Sequence, residues 1–195
     1  MITEIKVDNK SATEMSYRNA WLDMFFIKCL YGILFDGAWL WEEYINTLVD
    51  DYFYHPMNKA GKDKQWLFSG KTGLIYPDFI GKDADNRIIA DAKYKPISNI
   101  ANHDYLQLLA YMFRFDAKKA FYFYPEAADQ EDKELRLNRG STFEDNVVAR
   151  DDVSLIKHGL KIPRNTINYQ DFEIKIKDSE IEFMKLFNMV GGKRV

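Results

Sequence analysis

A chain of 195 residues with 47% hydrophobic and 15% aromatic side chains has enough apolar material for a packed core and too much for a disordered one. Its single cysteine, Cys29, excludes an intrachain disulfide and any multi-cysteine zinc site; no apolar run is long enough to span a bilayer, and Met1-Ile2-Thr3-Glu4 lacks the basic-then-apolar order of a signal peptide. The formal net charge of −3 argues against a freestanding nucleic-acid binder, whose affinity rests on neutralising phosphates.

The first fifty residues read as mostly helical, with one helix over Ala12 to Leu34 and another over Ala38 to about Tyr54, divided near Asp36-Gly37. A polar loop, His55 to Gln65, follows, and Trp66-Leu67-Phe68 opens a predicted strand ending near Gly70. Two apolar, β-forming stretches, Leu74 to Gly81 and Arg87 to Tyr94, flank the turn residues Asp83-Ala84-Asp85-Asn86 and so predict a β-hairpin within residues 71–95. Asn102 is placed to cap a helix over His103 to about Phe115. Ala120 to Tyr124, stopped by Pro125, suits a central strand buried on both faces. Residues 126–140 read as a charged, exposed loop. Strands are expected near Leu155–Ile162 and Phe172–Ile176, and a last helix from Ser179, with Glu182 completing a capping box. No internal repeat is present. Helix, strands, helix, strand, then strands and helix amount to a mixed sheet flanked by helices, in an α/β or α+β arrangement within one domain spanning 1–195.

The hairpin carries the most informative pattern. If Lys82 and Arg87 close its loop, Asp78 falls opposite Asp91. Directly opposed side chains have Cβ atoms about 4.5–5.5 Å apart, where like charges repel. A divalent cation would offset that repulsion. Lys93 follows Asp91 by two residues, so strand alternation sets it on the same face. The D/E-x-K pattern alone is common: it recurs at Glu4-Ile5-Lys6, Asp8-Asn9-Lys10, Asp116-Ala117-Lys118, Glu131-Asp132-Lys133 and Glu173-Ile174-Lys175. None of those copies has a second acid placed opposite by a readable hairpin. The alternative is two surface carboxylates on a solvated sheet face.

Two helices add candidates. Trp41, Tyr44, Ile45, Leu48 and Val49 form an apolar stripe; Glu42 falls on its border and Glu43 points almost directly away, so Glu42 is the residue expected to reach a site. Further along, Asp104, Gln107 and Tyr111 share one face, beside a stripe of Leu106, Leu109, Ala110 and Phe113. An ordinary amphipathic helix would look the same. Basic residues gather at Arg136, Arg139, Arg150, Lys157, Lys161, Arg164 and Lys193-Arg194, a pattern that a solvated face also produces. His55, His103 and His158 have no spacing suggestive of an HNH-type site, and no phosphate-cradling G-x-x-x-x-G-K-[ST] loop occurs.

Glu42, Pro77-Asp78 and Asp91-Ala92-Lys93 stand in the order of the PD-(D/E)xK nuclease superfamily, and Gln107-Leu108-Leu109-Ala110-Tyr111 resembles the Q-x-x-x-Y motif of its RecB-like branch. More closely, Leu40 to Ile45, Pro77 to Ile80, Asp91 to Lys95 and Asp104 to Tyr111 resemble the nuclease domain of the McrC family. Members of that family are the cleaving subunits of modification-dependent restriction systems. The likeness runs from about residue 15 to residue 125. It implies a restriction-endonuclease-like fold and an endonuclease dependent on one or two Mg²⁺ ions, with Mn²⁺ as a substitute. Glu42, Asp78, Asp91 and Lys93 would be catalytic, the three acids as metal ligands, supported by Gln107, Tyr111 and Asp104. The partners implied are DNA, an AAA+ GTPase of the McrB type and, as a further option, a second copy of the chain; no membrane is expected, and the expected location is cytoplasmic. The family's usual N-terminal region, which engages the motor subunit, does not fit ahead of residue 15, so the chain reads as an excised domain or a shorter relative. Two other functions stay open: a nuclease-like scaffold without turnover, and a RecB-like exonuclease acting on ends.

Overall fold

The computed structural model describes residues 36–56, 63–127, 131–140 and 147–190; the helix expected over Ala12 to Leu34 lies outside them. Helix α1 (Gly37–Val49) opens at Asp36, whose carboxylate accepts the Trp39 backbone N–H at 3.0 Å, satisfying one of the helix's orphan donors. It stops at Val49 rather than near Tyr54, because the aromatic pair Phe53-Tyr54 leaves to form strand β1 (Phe53–Tyr54) against strand β4 (Phe79–Gly81).

Strands β2 (Gln65–Phe68) and β3 (Thr72–Ile75) form a separate hairpin, turning through Gly70 at φ 67°, a left-handed conformation that glycine adopts without a Cβ clash. The long first arm expected from Leu74 to Gly81 is thus broken: Pro77 has no N–H to give to a ladder, so β3 ends before it and β4 begins after it. Strand β5 (Ile88–Ala92) pairs with β4 antiparallel in the expected register, Phe79 opposite Ala90 and Ile80 opposite Ile89. The two strands approach so closely that a Cβ at Gly81 would lie 2.9 Å from the Ile88 carbonyl oxygen.

After a 3₁₀ turn (Ile97–Asn99) comes helix α2 (Asn102–Arg114), preceded by Ala101 rather than capped by Asn102. Strands β6 (Lys119–Glu126), β7 (Lys133–Gly140) and β8 (Val147–Lys161) and helix α3 (Tyr169–Val190) complete the described chain. The six-stranded sheet has the order β1-β4-β5-β6-β8-β7, with β5, β6 and β8 parallel and the remaining pairs antiparallel. This is the mixed α+β architecture expected, consistent with a restriction-endonuclease-like fold. No described helix is long and apolar enough to cross a membrane.

Four further expectations are corrected. Pro125 does not stop β6, which continues to Glu126 opposite Lys161; β5 has already ended there, so the missing N–H faces no ladder on that side. Residues 133–140 are not a loop but the edge strand β7, exposed and charged, as edge strands are when they avoid pairing with other chains. Phe172 to Ile176 is helical. Phe172, Ile176, Phe183 and Phe187 are all buried on one stripe of α3, a helical period that a short strand reading hides. The start of α3 is fixed upstream of Ser179: Asn168 Oδ1 accepts the Asp171 N–H at 2.9 Å and Asp171 accepts the Ile167 N–H at 3.0 Å, while Ser179 donates to the Lys175 carbonyl inside the helix.

Side-chain alternation along β6 divides the core. Phe121 and Phe123 face α1 and α3, with Phe53, Phe79, Phe183 and Phe187. Ala120, Tyr122 and Tyr124 face α2 and the β2–β3 hairpin, with Ile80, Ile89, Leu108 and Met112.

Candidate active site

The β4–β5 register decides the geometry. Asp78 immediately precedes β4, so it lies one position beyond the Phe79–Ala90 pair and opposite Asp91. Its Oδ2 accepts the backbone N–H of Ala92 at 2.9 Å. Asp91 is 3% exposed, and Lys93 Nζ lies 2.6 Å from its Oδ2. The Lys93 backbone N–H donates to the Phe123 carbonyl at 2.8 Å. Pairing with β6 therefore continues one residue past β5, which keeps Lys93 on the Asp91 face.

Helix α1 is held to the same end of the sheet. The buried Trp41 indole N–H donates to the Phe123 carbonyl at 3.0 Å, the acceptor that also takes Lys93. Glu42 comes near enough to Asp78 to repel its charge. Glu43 is not directed to solvent as its helical angle suggested: its side chain is 20% exposed, 3.6 Å from His55 Nε2, and accepts the Trp39 indole N–H at 3.0 Å. Glu42 lies 3.7 Å from the same His55 nitrogen. Trp39 and His55, both from outside the stripe used to set the angle, draw Glu43 inward.

At the start of α2, Asp104 is 2% exposed. Its carboxylate accepts the Ala101 N–H at 2.9 Å and the Lys95 ammonium at 2.7 Å, with Lys93 Nζ 3.5 Å away. One turn on, Gln107 donates to the Tyr111 hydroxyl at 2.7 Å, and that hydroxyl also accepts the Tyr76 N–H at 3.4 Å. Gln107 and Tyr111 thus pin the segment leading into Asp78.

Electrostatics follow from this crowding. Burial, then the neighbouring Asp91 and Glu42, push the Asp78 carboxyl well above the usual carboxylate range, against the pull of the Ala92 N–H and Lys93. Burial also raises Asp91, which Lys93 partly counters. For Lys93, burial works against the charge, but Asp91, with Asp78 and Asp104, outweighs it and raises the ammonium. Burial opposes ionisation of Asp104 too, yet Lys95, the Ala101 N–H and Lys93 hold it below its ordinary value. His55 is raised despite burial, by Glu43, the Asp78 carbonyl and Glu42.

Among the described residues, no three His, Cys, Asp or Glu side chains converge tightly enough to cage a metal ion. The donor set that does converge is a pair of carboxylates, Asp78 and Asp91, with Glu42 behind Asp78. Among the described residues, Asp91 Oδ2 is a buried oxygen with no hydrogen bond of good geometry, and the Lys93 ammonium lies 2.6 Å from it. Such a set fits a hard divalent cation that keeps part of its water shell, and does not fit a fully protein-liganded ion.

Lys95, Tyr122 and His55 escaped the sequence reading. Lys95 had a signal, since it extends the Asp91–Lys93 alternation by one more step. Tyr122 is the parallel partner of Asp91 on β6, and its buried hydroxyl has no hydrogen-bond partner among the described residues; only the strand order reveals that adjacency. His55 is brought in by tertiary structure alone.

A family model described as McrBC 5-methylcytosine restriction system component matches residues 22–125, more than half of the 195-residue chain. Every residue of the site falls inside that match, while β7, β8 and α3 fall outside it. Among curated proteins nothing matches the chain.

Proposed function

Because this chain belongs to the family of McrBC 5-methylcytosine restriction system components, we propose that it is the cleaving subunit of such a system, a Mg²⁺-dependent endonuclease of the PD-(D/E)xK type. The observation that carries the reading is the Asp91–Lys93 contact of 2.6 Å, with Asp78 set opposite Asp91 by the β4–β5 register.

In this reading Asp78 and Asp91 hold one or two Mg²⁺ ions, and Glu42 adds a water-bridged contact. When bound, Mg²⁺ supplies Lewis acidity toward the scissile phosphate and an acidified water. Lys93 Nζ orients that water or donates to a phosphate oxygen as charge builds there. Asp104 holds Lys95 beside Lys93, so two ammonium groups border the two carboxylates. Gln107 and Tyr111 brace the Tyr76–Asp78 segment. The net charge of −3 leaves much of the grip on DNA to another subunit. The partner in this reading is an AAA+ GTPase of the McrB type, with a second copy of the chain as a further assembly.

The test is cleavage by the purified protein with Mg²⁺ on linear, circular and methylated DNA, with and without a candidate GTPase partner. Cutting of closed circles supports an endonuclease; cutting confined to linear DNA turns the reading toward an exonuclease. No cleavage under any of these conditions, partner included, argues for a nuclease-like scaffold instead.

A further inference from the structure

His55 follows β1, and its ring joins three segments that meet only in the folded chain. Nδ1 lies 2.9 Å from the backbone carbonyl oxygen of Asp78. A carbonyl can only accept, so Nδ1 carries the hydrogen there. Nε2 is thereby turned toward α1, 3.7 Å from Glu42 Oε1 and 3.6 Å from Glu43 Oε1. The ring also stacks on Phe79, the residue after Asp78, with centroids 5.2 Å apart and planes 29° from parallel. Its side chain is 9% exposed. The Asp78 peptide is therefore gripped twice, through its carbonyl and through the next side chain, by a ring whose far edge meets the glutamates of α1.

We propose, building on the nuclease reading above, that His55 is a positioning residue that sets the spacing between Asp78 and Glu42. Asp78 sits in the short break between β3 and β4, its carboxylate bonded to the Ala92 N–H of β5, and Glu42 belongs to a different element. Nothing in the local sequence of either fixes one against the other. His55 supplies that restraint without itself touching the reacting atoms. Groups that orient metal ligands in this way typically account for about 10–100-fold in metal affinity or activity.

The two ring nitrogens can be tested separately. In His55→Asn the amide can reach the Nδ1 position and still donate to the Asp78 carbonyl. In His55→Gln it can reach the Nε2 position, facing the glutamates, but loses the carbonyl. Mg²⁺ binding is measured by calorimetry on the full chain without DNA, beside the Mg²⁺ concentration giving half-maximal cleavage. His55→Ala is expected to weaken Mg²⁺ binding about 10–100-fold and to raise the half-maximal concentration by the same factor, with cleavage largely restored at saturating Mg²⁺. His55→Asn should recover most of the affinity and His55→Gln less. That ranking keeps the test decisive should the alanine variant fail to fold. A His55→Ala that binds Mg²⁺ as the wild type does, or a His55→Asn no better than His55→Gln, overturns the role of His55 alone. A wild type that neither binds Mg²⁺ nor cleaves, with or without a GTPase partner, overturns the nuclease reading and this proposal with it.

Discussion

The two faces of the central sheet, built from the same strands, are organised for different ends. On the α1/α3 face, Phe123 is ringed by Phe53, Phe79, Phe121, Phe183 and Phe187, all with centroids between 5.4 and 6.1 Å from its own. On the α2 face, one residue away along β6, the row reads Asp91, Tyr122, Lys157 across β5, β6 and β8. All three are buried, and the Lys157 ammonium lies over the Tyr105 ring, 5.1 Å from its centroid. Burying aromatic rings edge to face adds stability. Burying a carboxylate, a phenol and an ammonium in a row costs stability unless each is paired. Strand alternation lets one residue step separate the two kinds of surface, so the polar row can be tuned while the aromatic face holds the sheet together.

If that division is right, substitutions on the two faces should fail differently. The largest effect is expected from Phe123→Ala, a cavity at the centre of the aromatic face, costing about 3–5 kcal/mol of stability; denaturant unfolding measures it. A cost below about 1 kcal/mol would show that the aromatic face does not carry the fold. Next comes Lys93→Ala, expected to lower the cleavage rate about 10²–10³-fold, as loss of one charge-stabilising donor does elsewhere, while the protein stays folded by circular dichroism. Full activity in this variant would remove Lys93 from the chemistry. A smaller contrast is expected between the adjacent glutamates. Glu42→Gln should lower activity about 10–100-fold, because Glu42 faces Asp78. Glu43→Gln should do less, since Glu43 accepts from Trp39 and lies beside His55. The reverse ranking in a side-by-side cleavage assay would exchange their roles.

How much of this was legible beforehand depended on whether the deciding contact is local. The β4–β5 register came from turn chemistry and alternation, both short-range, and with it came the opposition of Asp78 and Asp91. The Asp104, Gln107 and Tyr111 face came from helical period, but the stripe expected beside it is misplaced: Leu106 and Phe113 are exposed, and Leu108 and Met112 are the apolar residues buried. The edge strand β7 was hidden because its partner β8 is what makes Lys133–Gly140 a strand; alone, those residues are as polar as a loop. The sequence predicts a strand followed by a helix where α3 runs, because Phe172 to Ile176 is too short a window to separate the two periods. The inward turn of Glu43 was hidden for a related reason. A helical wheel ranks residues by angle to one apolar stripe, and takes no account of a tryptophan one turn back or a histidine arriving from β1.

The smallest expected effect is also the one that needs no substrate. Crowded carboxylates suggest that neutralising one should stabilise the metal-free protein, and Asp91 is the obvious choice from sequence. The structure shifts the choice to Asp78. Asp91 is paired with the half-buried Lys93 at 2.6 Å, so Asp91→Asn would leave that ammonium without its closest partner, a cost that offsets the relief. Among the described residues no cation lies as close to Asp78, and its bond from the Ala92 N–H can be kept by an asparagine, whose amide oxygen also accepts. Asp78→Asn should therefore stabilise the chelated protein by about 0.5–2 kcal/mol. The pH dependence gives the sign. The Asp78 carboxyl is raised in the folded chain by burial, Asp91 and Glu42, so the folded state keeps a proton that the unfolded state has already released. Stability of the chelated wild type then falls as pH rises from the usual carboxylate range through the folded value, and Asp78→Asn should flatten that fall. Mg²⁺ should raise the wild-type melting temperature by mass action and move that of Asp78→Asn much less. Melting curves of both proteins across pH, with chelator and with excess Mg²⁺, measure all three. An Asp78→Asn less stable than wild type in chelator at neutral pH would mean that the two aspartates do not repel, and the polar row would lose its claim to be a site tuned against stability.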